Sequence, residues 1–319
     1  MAFAAEACLG EAMRRIARLL LLLLVWCCAH RALAQDLTPR AYVISPVGTT
    51  AFVLAYSHQS GDLQFDGAVP ITGATADIHL PIVSFYHGFN FFGRAANATV
   101  SVPYGIGDFD GTVADVPRHA HRAGFLDSQL RLSVNLLGGP AMAPADFVKW
   151  HQDVLLGLSL KIVPPSGQYD STRLINWSNN RWALKPEIGY SQRFGHWIVD
   201  AYLGAWFFTD NPEFYTHNVQ TEDTVEAFET HLSYDFGARL WVSLDANFWR
   251  GGTTSLNGVP NQATTQKSSR VGITASVPLT QHQSIKLSFS DGAYVQYGGN
   301  YRSIAIAWQY GWFGWSPFH

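Results

Sequence analysis

Histidines standing near acids and hydroxyls are where reaction chemistry would sit in this chain. His231 shares a strand parity with Glu229 and Ser233, the residue types of a relay that passes a proton to a nucleophile. Residues two apart on one strand point the same way without converging, and no Gly-x-Ser-x-Gly turn is present to aim a serine. His119-Ala-His121 offers two imidazoles to a metal, but no His-Glu-x-x-His run or matching carboxylate cluster accompanies it in sequence. A solvated loop is the plainer reading. Gly105-Ile-Gly107 lacks the Gly-Lys-Ser/Thr and helix start of a nucleotide site. The residues therefore predict no catalytic group, no metal ligand and no cofactor. What remains is a set of charges at alternate strand positions: Arg131, Lys161, Lys185, Glu187, Asp200, Glu229, Asp235, Asp245 and Lys286. What they do depends on what their strands face.

Those strands are unusually regular. Leu130, Leu132, Val134 and Leu136 alternate with Gln129, Arg131, Ser133 and Asn135; Leu184, Ile188 and Tyr190 alternate with Lys185, Glu187, Gly189 and Ser191. Similar alternation recurs about a dozen times after residue 50, in runs of about 10–14 residues. Such runs exceed an ordinary globular strand and are long enough to cross a bilayer at a tilt. Connections alternate between long ones (60–75, 105–124, 166–180, 210–222, 250–266, 291–299) and short ones (91–94, 194–196, 237–239, 280–283), with an insert at 139–153 as the exception. A soluble sandwich has no reason to sort its loops by side. A closed up-and-down barrel in an outer membrane has short periplasmic turns and longer outer loops. In that barrel the apolar parity faces lipid and the nine charges line the lumen, as a structural ion network or as part of a transport path. Aromatic residues near strand ends, such as Tyr104, Trp182, Trp197 and Phe207, fit interfacial girdles.

Composition agrees. The chain has 319 residues, a net charge of −3 and 14% charged residues against 14% aromatic ones, with 11 tryptophans. That balance argues against disorder and against a nucleic-acid partner, which needs a basic surface. Residues 1–34 read as a cleaved export signal: Arg14, Arg15 and Arg18 precede six leucines and Val25, and Ala32-Leu33-Ala34 supplies a small-x-small cleavage site. Met13 stands where such a leader usually begins. All three cysteines, Cys8, Cys27 and Cys28, lie in this leader, so the mature chain has no thiol for a disulfide or a metal. Residues 35–319 then form a single barrel domain with strands spanning about 50–312. A first strand near residue 50 leaves no room for a plug-sized N-terminal domain.

Several segments resemble the bacterial outer-membrane family named for transporters of the meta-cleavage pathway of phenol degradation: Ser45-Pro-Val-Gly-Thr49, Leu126-Asp-Ser-Gln-Leu-Arg-Leu-Ser-Val-Asn135, Pro164-Pro-Ser-Gly-Gln-Tyr-Asp170, Leu174-Ile-Asn176, Asn180-Arg-Trp182, Lys185-Pro-Glu187, Trp206-Phe-Phe-Thr-Asp210 and Ala307-Trp-Gln-Tyr310. The resemblance spans most of the mature chain. It implies an outer-membrane barrel passing small aromatic or other hydrophobic compounds, and it carries over no catalytic or binding residue.

The expectation is an all-β, antiparallel transmembrane barrel of about 12 strands with both termini periplasmic, moving small solutes passively. Its partners are outer-membrane lipid, the barrel-insertion machinery acting through the aromatic-alternating last strand, and a small-molecule solute. A closed-lumen structural or surface-interaction barrel is the alternative, and a lipid hydrolase a more distant one.

Overall fold

The computed structural model describes residues 37–64, 71–113, 115–215, 218–237 and 239–314. The predicted leader lies outside them. In chain order the strands are β1 (Thr49–Gln64), β2 (Ile71–Phe91), β3 (Arg94–Val113), β4 (Val116–Phe125), β5 (Gln129–Leu137), β6 (Val154–Val163), β7 (Ala183–Phe194), β8 (Trp197–Phe208), β9 (Asn211–Phe214), β10 (Asn218–Glu222), β11 (Val225–Gly237), β12 (Leu240–Gly251), β13 (Thr254–Leu256), β14 (Val259–Asn261), β15 (Gln266–Pro278), β16 (Gln283–Tyr294) and β17 (Gly298–Phe313). One helical turn, α1 (Pro144–Phe147), precedes β6.

Each wall strand pairs antiparallel with its neighbours, and β1 pairs along its whole length with β17, which closes the cylinder. β4 and β5 both pair with β3 and act as one interrupted wall strand, so twelve strands complete the barrel. Closure leaves no edge in the membrane-crossing part of the wall, the condition for crossing hydrocarbon with strands. β9, β10, β13 and β14 form a separate four-stranded sheet on the long-loop end.

The distribution of side chains inverts that of a water-soluble protein. Leu203, Leu244 and Ile304 are 58%, 59% and 57% exposed on the outside, while Ser191, Asp200, Ser233 and Asn247 are fully buried within. Hydrocarbon is the medium that makes this arrangement favourable. The β2–β3 turn shows why one end is tight. Phe92 (φ 49°) and Gly93 (φ 83°) both take left-handed backbone, the two-residue turn whose twist matches the strands it joins. By the loop-length rule that end is periplasmic and the other is the cell exterior.

Two segments differ from the sequence reading. Residues 105–124 are not a loop: β3 and β4 run on as a hairpin to residue 113 and back from 116. There the strands have left the apolar belt and the polarity of the two faces reverses: Asp108, Asp110, His119 and His121 stand outward, while Phe109 and Ala120 pack inward with Trp177, so the apolar-out pattern of a lipid-facing strand is lost. The second difference concerns residues 37–48. No plug domain is present among the described residues, but this short strap enters the barrel and occupies part of its interior.

Candidate functional site: the barrel lumen

The lumen has two unlike sides. On the side built by β5 to β12 the inward positions carry charge. Lys185 lies between Glu187 (2.7 Å) and Glu229 (2.8 Å), with all three side chains nearly inaccessible. Arg131 approaches Glu187 at 4.0 Å. Asp245 accepts from Ser243 (2.7 Å) and Thr274 (2.6 Å) and shares a hydrogen bond with His231 Nδ1 (2.8 Å). His231 Nε2 lies 3.8 Å from Glu229. Lys161 and Lys185 stand over the Trp206 ring, and Lys286 over Trp241. Charges removed from water cost several kcal/mol each unless paired; Arg131, Lys161 and Lys185 are cross-strand neighbours of one sign, and Glu187 and Glu229 on the same wall supply the opposite charge. His231 is sealed in this network, with carboxylates as its nearest charged partners and no path to lipid.

The strap packs against this charged side. Arg40 bridges to Asp235 (2.8 Å) and lies over the Trp241 ring at 4.4 Å. Asp235 also holds Arg193 (2.7 Å). The Arg40 amide donates to Asp200 (3.2 Å) and the Ala41 amide to the Tyr202 hydroxyl (3.0 Å). Tyr42 is 1% exposed. Its hydroxyl bonds Ser159 (2.9 Å) and donates to Glu187 Oε1 (3.0 Å), with Arg131 over its ring. The ring fits only because Gly157 and Gly189, paired across β6 and β7, have no Cβ; an added Cβ at either would overlap it. Below Tyr42 the strap meets the 139–153 insert: Ile44 packs with Leu155, Met142, Phe147 and Trp150, and the Val47 amide donates to the Met142 carbonyl (2.8 Å). The insert that broke the loop pattern thus covers the strap at the periplasmic end.

The opposite side, from β15 through β17 and β1 to β3, carries mostly small inward residues, with Arg270 and Lys286 as its inward cations. Ser57 bonds Ser303 (3.1 Å) and Ser84 bonds Ser101 (2.8 Å). These hydroxyls, with Ala55, Ile82, Pro103, Ser288 and Ala305, line a cavity of about 550 Å³. Toward the exterior the wall turns apolar, with Ile78, Phe109, Trp177 and Tyr301 in one cluster.

Residues 164–182 fold inward over this end. Asp127 accepts amides from Gly167 (2.9 Å) and Asn179 (3.0 Å), and the Gln168 amide donates to the Phe125 carbonyl (2.8 Å). Trp177 lies over Gly105 and Gly107, where a Cβ would crowd its ring. Arg181 pairs with Glu222 at the edge of the outer sheet. Burial pushes the Glu222 carboxyl above the usual range, and the Arg181 guanidinium opposes that shift.

The nine charges singled out in the sequence all fall on inward parity. The structure brings Arg131, Lys185, Glu187 and Glu229 into one cluster; Asp200 and Asp235 go to the strap, Asp245 to His231, and Lys161 and Lys286 to tryptophan rings. Sequence reasoning missed Arg40, Tyr42 and the serine-lined side. The inward glycine pair was a usable signal, because two facing positions without side chains leave a slot for something else.

A family model described as "Putative MetA-pathway of phenol degradation" matches residues 47–306. No curated protein matches the chain. Among solved structures, the COG4313 outer membrane channel from Pseudomonas putida F1 is similar at a TM-score of 0.73 and 16% identity, covering 87% of this chain and 100% of the channel. The KdgM porin aligns at a TM-score of 0.45 and 8% identity (81% of this chain, 98% of the porin). The Pseudomonas putida toluene transporter TodX aligns at 0.42 and 10% (89% and 95%). The first likeness concerns the fold: a closed antiparallel barrel of the outer membrane.

Proposed function

This chain belongs to the family described by that model, and from this premise we propose that it is a passive channel for small, weakly polar solutes. The observation that carries the reading is the cavity of about 550 Å³ on one side of a lumen whose other side is filled by paired charge and the strap. A cavity of about 150 Å³ accepts benzene, so this one has room for a single-ring compound. Serine hydroxyls among alanine, isoleucine and proline offer hydrogen bonds, and the fixed charge on the lining, Arg270, is held by the Ser290 hydroxyl (2.7 Å) and the Tyr301 carbonyl (2.9 Å), which suits a neutral ring bearing a hydroxyl better than a cation. The chain's family description names phenol degradation, in keeping with such a solute. The nine inward charges hold the strap and the far wall and shape the path from the side.

The closed-lumen reading has its own support. The strap and insert cover the periplasmic end, and residues 164–182 cover the other. Liposome uptake separates the two. Reconstituted barrel is expected to admit neutral single-ring solutes faster than sugars or ions of similar mass. Liposomes that admit no small solute at all reject transport and leave the surface-interaction barrel.

A further inference from the structure

One cluster lies outside the lumen and takes no part in passage. On the outward face, at the exterior end of the apolar belt, Tyr56 and Pro81 are succeeded by His58 on β1 and by His79 and Asp77 on β2. His58 and His79 are direct cross-strand partners, and their rings stack at 4.9 Å with 20° between planes. Both Nε2 atoms address the same carboxylate: His58 Nε2 lies 3.1 and 3.0 Å from the two Asp77 oxygens, and His79 Nε2 lies 3.2 Å from Oδ1. Among the described residues this is the one group of three potential ligands whose donor atoms all lie within 4.8 Å of one another.

We infer that His58, Asp77 and His79 form a binding site for a borderline divalent cation, Zn²⁺ above all, on the outer rim of the barrel. Two imidazole nitrogens and one carboxylate are the ligand set such ions take, with water in the open position. Bonds of about 2.0–2.1 Å in a tetrahedral site put ligand atoms about 3.3 Å apart. Both His–Asp spacings, 3.0 and 3.2 Å, are close to that value, so the main change needed is for the two imidazoles to close on each other. The carboxylate is bracketed by two nitrogens, a geometry one cation satisfies better than two separate protons. A second observation points the same way. The Tyr56 hydroxyl meets His79 Nδ1 at 2.6 Å, the outer partner that fixes a ligating histidine's orientation and tautomer. Asp108 of β3 stands opposite Asp77 in register and adds negative charge beside the site. The histidines of β4 are committed elsewhere, His121 to Asp108 (2.8 Å) and His119 to Asp110 (2.9 Å). A bound ion would cross-link β1 to β2 at the level of the outer-leaflet headgroups.

The test uses the full barrel, purified in detergent without a histidine tag, and Zn²⁺ as the probe in competition with a chromogenic chelator. One Zn²⁺ per chain is expected, with a dissociation constant of about 1 µM or tighter. His58→Ala, His79→Ala and Asp77→Asn should each abolish or weaken it strongly, and Tyr56→Phe should weaken it about 10-fold. His119→Ala combined with His121→Ala should leave it unchanged. These side chains lie on the outer surface, and heat-modifiable gel mobility verifies that each variant stays folded. Independently of any variant, Cu²⁺ bound to the unaltered barrel should show electron-spin coupling to two imidazole nitrogens. Absence of tight Zn²⁺ binding, equal binding after loss of both His58 and His79, dependence on His119 and His121, or no nitrogen coupling would each overturn the site.

Discussion

If the strap limits flow, loosening it must open the channel, and Tyr42 is the place to do so. Tyr42→Ala removes a fully buried ring together with its hydrogen bonds to Ser159 and Glu187. Truncating a buried aromatic costs about 3–5 kcal/mol. The Arg40–Asp235 bridge and the Ala41–Tyr202 bond remain, so the strap is weakened and not severed. At 1.4 kcal/mol per factor of ten, its docking equilibrium should fall by roughly two to four orders of magnitude. Single-channel recording in planar bilayers should then show longer or larger open events. Trypsin should cut after Arg40, which is shielded when docked. Gly189→Ala keeps the tyrosine but fills the slot for its ring, and should reproduce both effects. Unchanged conductance in a barrel whose strap has become cleavable would refute a gating role. Continued protection of Arg40 in both variants would refute the docking energetics.

Further outcomes follow from the same geometry. Lys185→Ala leaves Glu187 and Glu229 buried without their cation and should destabilise the folded barrel by about 3–5 kcal/mol, read as a lower temperature of loss of heat-modifiable mobility. Asp127→Ala frees the Gly167 and Asn179 amides; about 1–3 kcal/mol is lost for each unsatisfied group, and limited proteolysis should become faster within residues 164–182. Ser57→Phe places a ring in the serine-lined cavity and should cut solute uptake several-fold without changing barrel stability as Lys185→Ala does. Leu244→Arg on the lipid face should cost about 2–4 kcal/mol if its depth is near the midplane, measured by equilibrium unfolding in lipid vesicles.

The wall of this barrel was legible in the sequence because lipid and lumen impose opposite demands on alternate residues. Leu130 with Arg131, and Ile188 with Glu187, display that demand directly. Where the demand stops, so does the legibility. His119, His121, Asp108 and Asp110 sit on regular strands, yet beyond the lipid the outward face is polar while the inward one carries Gly105, Gly107 and Phe109, and the segment resembles a loop. For the same reason the carboxylates that meet His119 and His121 were invisible: they lie across a hairpin and not along the chain. The strap was hidden differently. Its hold depends on Tyr42 meeting Gly157 and Gly189, a fit that emerges only once the β6–β7 register is known. The cavity was hidden because it is written in what is missing, the small serines and alanines of β1, β2, β3, β16 and β17, and absence of bulk leaves no periodic mark.

The wall is completed where β1 meets β17, and the strap precedes β1. The stretch made earlier is therefore enclosed by a seam that only the final strand can zip. Biogenesis must either wrap the nascent cylinder around its own leading segment or thread that segment back through the mouth afterward. In the first route the strap acts as a mandrel, and weakening its grip would slow maturation as well as alter the finished pore.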